Sequence, residues 1–268
     1  MKNIAKEIRA LTVECISSIG QGHVGGSLSI VDALTVLYYK HMNIDPKNPK
    51  KIGRDRLVVS KGHAGPGVYA TLAHKGYFDK EELKTLNRFN TKLPSHCDMN
   101  KTPGVDMTAG SLGQGLSCAC GMAYASKLAK DNAYIYCIIG DGEAQEGQIW
   151  EASMFAACYK LDNLIVMLDN NKLQLSGYTA DTLDLGDVYK KWESFGFFVQ
   201  SINGNDIAEI DQAIINAKEN KNAPSMIILN TIKGKGVSFV EKATTGNHSM
   251  PITNELLEVA LDELKIGE

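Results

Sequence analysis

Apolar side chains at Ile4, Ile8, Leu11, Cys15 and Ile19 recur every three or four residues, the spacing of one helical face. They predict an amphipathic helix over 3–19 that stops at Gly20, a helix-ending residue. Further along, apolar positions gather in short unbroken runs. RLVVS at 56–60, AYIYCII at 133–139 and the stretches 163–168, 197–202 and 226–229 have the composition of strands covered on both faces. Helical spacing between them predicts helices near 29–41, 66–75, 79–89, 112–130, 145–160, 206–219 and 253–265, with Asp79 capping the third. Strands that alternate with helices predict an α/β fold, a parallel sheet with helices on both faces. Neither repeat nor linker interrupts the pattern, so residues 1–268 are expected to form one domain.

Some stretches stand apart. Residues 90–111 carry Pro94 and Pro103 and predict an irregular loop. Residues 231–252 are rich in Gly and Lys and are expected to form an active-site loop. The helix at 112–130 is dominated by Gly, Ala, Ser and Cys. Small side chains let backbones approach, so it is expected to be buried against another helix or a second chain.

Composition narrows the class. Hydrophobic residues make up 44% and charged residues 22% of 268, as in soluble globular proteins. A net charge of −3 leaves no basic stripe for nucleic acid. The first twenty residues are too polar for a signal peptide, and no apolar run has the length of a membrane span. Cysteines 15, 97, 118, 120, 137 and 158 form no CxxC pair, which argues against structural zinc. Most lie among apolar or small residues and are expected to be buried thiols of a cytoplasmic protein.

Two motifs carry candidate chemistry: GDG at 140–142 and LDNNKLQL at 168–175. Asp141 follows one predicted strand, and Asn170 and Asn171 end the next. Parallel sheets bind ligands at the carboxyl ends of their strands, so both motifs belong to one rim. Gly142 lets a ligand approach the backbone, and the helix expected after it presents free N–H groups suited to phosphate. One carboxylate and one amide oxygen suit a hard divalent cation completed by phosphate oxygens. The bland alternative is a tight strand-to-helix turn capped by Asp141. Histidines 23, 63 and 96 each sit in a separate glycine-containing loop. His41 and His74 sit near predicted helix ends and are given no role beyond helix-dipole partners. Glu143 is read as solvated, Lys233 and Lys235 as part of a mobile basic loop, and Trp150 and Trp192 as core or interface anchors.

GHVGGSLS, SKGHA, PGVDMTAGSLGQG, GDGEAQEG, DNNKLQLSG and TIKGKGVSF follow one another over residues 20–240. In this order they resemble the N-terminal cofactor domain of transketolases, over nearly the whole chain. The resemblance implies thiamine diphosphate and a divalent cation: magnesium, or calcium or manganese. By this likeness Asp141 and Asn171 would ligate the metal by side chain and Leu173 by its carbonyl. Gly142 and His63 would meet the diphosphate, and Gly110 and Leu112 would line the aminopyrimidine and thiazolium. Glu146 and Glu151 resemble glutamates of a buried network reaching the second cofactor site. His23 and His96 would face sugar hydroxyls, and His248 would join them. His248 departs from the family pattern, with Asn247 before it and Ser249 after, and His96 stands between Ser95 and Cys97.

The activity implied is transfer of a two-carbon ketol unit from a ketose phosphate to an aldose phosphate, with a histidine taking a hydroxyl proton. The family's pyrimidine-binding half is expected on a partner chain, in an α2β2 assembly. Competing readings are the thiamine-binding component of a 2-oxo-acid dehydrogenase, a relative of deoxyxylulose-phosphate synthase, and a non-catalytic cofactor-binding paralogue. A Rossmann oxidoreductase is disfavoured because no GxGxxG opens a helix.

Overall fold

The five apolar runs build one parallel sheet in the computed structural model, which describes residues 1–265. Its strands are β1 (Arg56–Val59), β2 (Ile135–Gly140), β3 (Leu164–Asp169), β4 (Phe198–Asn203) and β5 (Ser225–Asn230). Their spatial order is β1-β2-β3-β5-β4. The register sets Gly140 beside Asp169 and Asp169 beside Leu229, so the motif-bearing strand ends share one rim.

Helices cover both faces because alternate side chains of each strand point to opposite sides. Tyr136 and Ile138 join the core under α1 (Lys2–Ser17), α2 (Gly65–Lys75), α5 (Ile207–Glu219) and α6 (Asn254–Glu263). Ile135, Cys137 and Ile139 face the opposite core, against α3 (Gln114–Ala129) and α4 (Gly147–Cys158). Trp192 is fully buried in that second core and packs 4.9 Å from Trp150. Cys15, Cys97, Cys120 and Cys137 are buried, whereas Cys158 is exposed. Among the described residues no helix is long and apolar enough to cross a membrane.

Several expected elements are corrected. The helix over 29–41 starts at Val31 and runs through Val36 into a π turn at Leu37–His41, with a separate turn at Gly25–Leu28 before it. Ser29 sits at the break, with its hydroxyl 2.7 Å from Asp169 on β3, so a tertiary bond competes with helical continuity. The helix over 79–89 is only a 3-10 turn at Lys80–Thr85, although Asp79 does cap it by accepting from Glu81 N. The helix expected over 145–160 is present at Gly147–Cys158, and a 3-10 turn at Glu143–Gln145 separates it from GDG. The strand carrying the paired asparagines ends at Asp169, one residue before them. The segment 231–252 holds a short helix at Ser238–Lys242 and a strand, Met250–Pro251, paired with Gln21–Gly22.

Helix α3 approaches the end of β1 through Gly115. A Cβ there would collide with Ser60 Oγ and lie 2.8 Å from Ser60 Cα. Gly115→Ala is therefore expected to destabilise the chain by about 1–3 kcal/mol despite alanine's better helix propensity, because the overpacking meets backbone. A urea midpoint equal to or above that of the parent would contradict this packing.

Candidate functional site

A cavity of about 430 Å³ opens on the rim where β1, β2 and β3 end. Four histidines from four separate segments line it: His23, His63, His96 and His248. The His23 ring lies 5.9 Å from His63, 5.3 Å from His96 and 5.4 Å from His248, and the rings of His63 and His248 are 4.8 Å apart. The sequence explains the closeness. A Cβ on Gly26 would sit 2.9 Å from His63 Nε2, and one on Gly25 would sit 2.5 Å from the Asn247 carbonyl oxygen. The paired glycines of GHVGGSLS thus admit both the His63 ring and the segment leading to His248.

Burial holds the imidazoles neutral. His63 is pushed well below the ordinary histidine value by desolvation and then by Lys61. His248 falls to about 4 through burial and the nearby Lys233 ammonium. His23 and His96 are lowered for the same first reason. At neutral pH this cluster offers acceptor nitrogens rather than four cations. His41 and His74 lie apart: His41 meets Asp211 at 2.8 Å, and His74 bridges Tyr39 and Glu7.

The GDG and NN motifs meet on one wall. Asp141 is 5% exposed and accepts hydrogen bonds from Gly142 N and Lys172 N. Asn171 lines the cavity, while Asn170 turns to Asn230 on the neighbouring strand at 2.9 Å. Asn171 Nδ2 donates to Asp169 Oδ2 at 2.9 Å and its Oδ1 accepts from Leu173 N at 3.0 Å, which fixes the amide with one oxygen lone pair still to share. Burial and the neighbouring Asp169 raise Asp141 to about 6. Burial and like charge both disfavour the ionised form, and they outweigh the bonds from Gly142 N and Lys172 N. Gly110, Leu112, Gly142, Glu146 and Leu173 line the same cavity.

Four readings change. Glu143 is not solvated: it is 2% exposed and accepts from Ser60 Oγ, Gly113 N and Gly140 N. Lys233 is not in a loose basic loop. It is 4% exposed, donates to the Leu173 carbonyl at 3.0 Å, and is lowered to about 8 by burial and by Lys61. Glu146 and Glu151 form no buried network within this chain; both are exposed. Glu146 has extended backbone where the 3-10 turn gives way to α4, and its exposed side chain stands at the cavity wall. The last change concerns Lys61 and Asp169, to which the motifs assign nothing. They form a fully buried ion pair beside Asn171, with Ser29 and Thr231 also on Asp169. Burial alone would raise Asp169, but Lys61 and these donors hold it below the usual carboxylate value. A charged residue ending each of the apolar runs 56–60 and 163–168 was the available signal.

The chemistry available is specific. Neutral imidazoles face a cavity whose floor presents a carboxylate, an amide oxygen, a carbonyl and a buried lysine. No three His, Cys, Asp or Glu side chains converge as a metal cluster among the described residues. The donor set instead mixes one carboxylate with neutral oxygens, which suits a hard cation sharing its shell with a phosphate ligand.

Known proteins resemble this chain in sequence and fold. Residues 1–267 match the family model described as the transketolase thiamine diphosphate binding domain. A Clostridium sp. (strain MSTE9) protein, "6-deoxy-6-sulfo-D-fructose transketolase subunit SqwG", is 54% identical over 99% of this chain and 96% of its own length. An apulose-4-phosphate transketolase subunit from Actinobacillus succinogenes is 44% identical over 97% of this chain and 94% of its own. The solved transketolase of Campylobacter jejuni superposes with a TM-score of 0.90 at 34% identity, over 98% of this chain but 42% of that one. This chain belongs to the transketolase family and corresponds to its thiamine diphosphate binding domain.

Proposed function

We propose that the chain is the cofactor-binding half of a two-chain transketolase, moving a two-carbon ketol unit from a ketose to an aldose. The observation that carries this reading is the convergence of four neutral imidazoles beside Asp141 and Asn171. In this reading Asp141, Asn171 and the Leu173 carbonyl hold a divalent cation, magnesium first. Gly142 and His63 meet the diphosphate, and Gly110 and Leu112 line the rings of the cofactor. Lys233 adds a cation to this set. Its ammonium makes one hydrogen bond among the described residues, to Leu173 O, so it is available to a phosphate oxygen. Bound thiamine diphosphate supplies the carbon nucleophile that accepts the two-carbon unit. The imidazoles hold the sugar hydroxyls and take the proton released when the sugar chain breaks.

The substrates are sugars carrying a terminal acidic group. The Clostridium and Actinobacillus relatives act on a sulfonated and a phosphorylated sugar by their descriptions, so the class is an anionic ketose. The partner is a chain carrying the pyrimidine-binding half, in an α2β2 assembly in the cytoplasm. Support comes from the exposure of Leu112, Glu146 and Glu151 at and near the cavity mouth, where a second chain would cover them.

Turnover separates this reading from a 2-oxo-acid dehydrogenase component. With its partner, the chain is expected to transfer ketol units from xylulose 5-phosphate or 6-deoxy-6-sulfo-D-fructose to an aldose phosphate and to leave pyruvate untouched. Pyruvate decarboxylation without ketol transfer would reverse the assignment.

A further inference from the structure

We infer that Glu143 is a positioning residue that locks the 110–113 turn to the GDG turn, so that a carboxylate buried in the cavity wall, with both oxygens taken by the chain's own donors, sets where the cofactor's rings sit. The inference rests on the proposed cofactor assignment. It adds a role that neither the GDG motif nor the exposed glutamates supply.

The geometry is closed on every side. Glu143 Oε1 accepts from Ser60 Oγ and from Gly113 N at 2.8 Å, and Oε2 accepts from Gly140 N at 3.0 Å. Those donors belong to three segments that each deliver part of the site. Ser60 precedes Gly62 and His63, Gly113 follows Gly110 and Leu112, and Gly140 precedes Asp141. A buried carboxylate carrying three donors is worth more than three neutral bonds, because each is charge-assisted. The turn has little other freedom. Gly113 has φ +89, and a Cβ there would lie 2.9 Å from Glu146 Cβ. Only glycine takes that backbone cheaply, and its N–H then points at Glu143.

Glutamine cannot replace this acceptor. If its oxygen faces Ser60 and Gly113, its NH2 opposes the Gly140 N–H; turned over, it opposes the Gly113 N–H. Aspartate keeps the charge but is one methylene too short to reach all three donors. The turned-over amide leaves fewer groups unpaired, since its NH2 donates to Ser60 Oγ and its oxygen accepts from Gly140 N, so Glu143→Gln releases the Gly113 anchor of the turn while leaving the His63 and Asp141 side chains in place.

The chain tests this by hydrogen exchange on its own and by calorimetry with its partner present. In the cofactor-free chain, the peptide spanning 110–114 is expected to exchange about tenfold faster in Glu143→Gln, while the peptide spanning 135–139 is unchanged. With magnesium present, affinity for thiamine diphosphate is expected to fall about tenfold or more, and affinity for inorganic pyrophosphate to fall much less. A merely structural glutamate would weaken both ligands alike and loosen the strand as well. If Glu143→Gln does not fold, Ser60→Ala takes its place. It removes one donor and is expected to speed exchange at 110–114 by a smaller factor. Unchanged exchange at 110–114 in whichever variant folds overturns the inference, as does an equal loss for both ligands. Failure of the parent to bind thiamine diphosphate would count against the cofactor assignment instead, since the exchange result needs no cofactor.

Discussion

Asp141→Ala is expected to abolish magnesium-dependent binding of thiamine diphosphate. Asp141 is the one carboxylate in the proposed donor set, beside the Asn171 amide and the Leu173 carbonyl. Magnesium is held by few protein groups, so losing the charged one leaves two neutral dipoles against a strongly hydrated ion. Outer residues that merely orient a ligand typically change metal affinity 10–100-fold, so direct removal of a ligand is expected to exceed about 100-fold. The fold is expected to survive. Alanine loses the bonds from Gly142 N and Lys172 N, but it also removes a buried carboxylate whose pKa is raised to about 6 by that burial. These effects oppose each other. Calorimetry with the partner present, at fixed magnesium, measures the result. Unchanged affinity would remove Asp141 from the donor set.

The second large effect is expected on mixing chains. Alone, this chain should bind thiamine diphosphate weakly and show no ketol transfer. With a partner carrying the pyrimidine-binding half, it should gain activity and a mass near twice the sum of the two chains. Relatives aligned over 96% and 94% of their own lengths are themselves described as subunits. The surface agrees with a partner. Leu112 at the cavity mouth is 39% exposed, and Tyr124, Phe155 and Tyr159 form an exposed aromatic group on α3 and α4. Leu128 and Met154, 68% and 57% exposed, extend that apolar surface. Contiguous exposed apolar surface of this kind marks an interaction site more often than bulk-facing surface. The expectation that the small-residue helix 112–130 packs at a shared interface keeps this surface as its support. Its inner face, through Leu116, Ala119, Cys120 and Ala123, is already taken by the sheet and α4. Sedimentation of the mixture and a coupled ketol-transfer assay decide the question. Full transferase activity from this chain alone would refute it.

Much of this molecule was legible from residue order. Unbroken apolar runs specify strands buried on both faces, and five of them predicted the five sheet strands. Parallel strands place their carboxyl ends on one rim, so the meeting of GDG and NN followed from strand order alone. His23 and His63 were legible because each sits in a short motif whose order resembles one family, whereas His96 and His248 lie outside those motifs and followed from the resemblance only by their place in the chain.

Tertiary contacts decided the rest. The fate of a polar residue after an apolar run depends on which donors other segments bring to it. Glu143 looked solvated by local sequence, yet Ser60, Gly113 and Gly140 arrive from two loops and a strand end to satisfy it. Lys233 looked like part of a mobile loop, yet the Leu173 carbonyl and the cavity wall enclose it. The 29–41 segment is helical from Val31 onward, yet Ser29 stays outside that helix and gives its hydroxyl to Asp169 across 140 residues of chain. Glu146 and Glu151 are exposed because no described segment of this chain reaches over them, so whether a network buries them depends on what a second chain places there. Periodicity reports which face of an element is apolar, a property of neighbours in sequence. Burial of a charge is set by partners distant in sequence, and only the assembled rim brings those partners together.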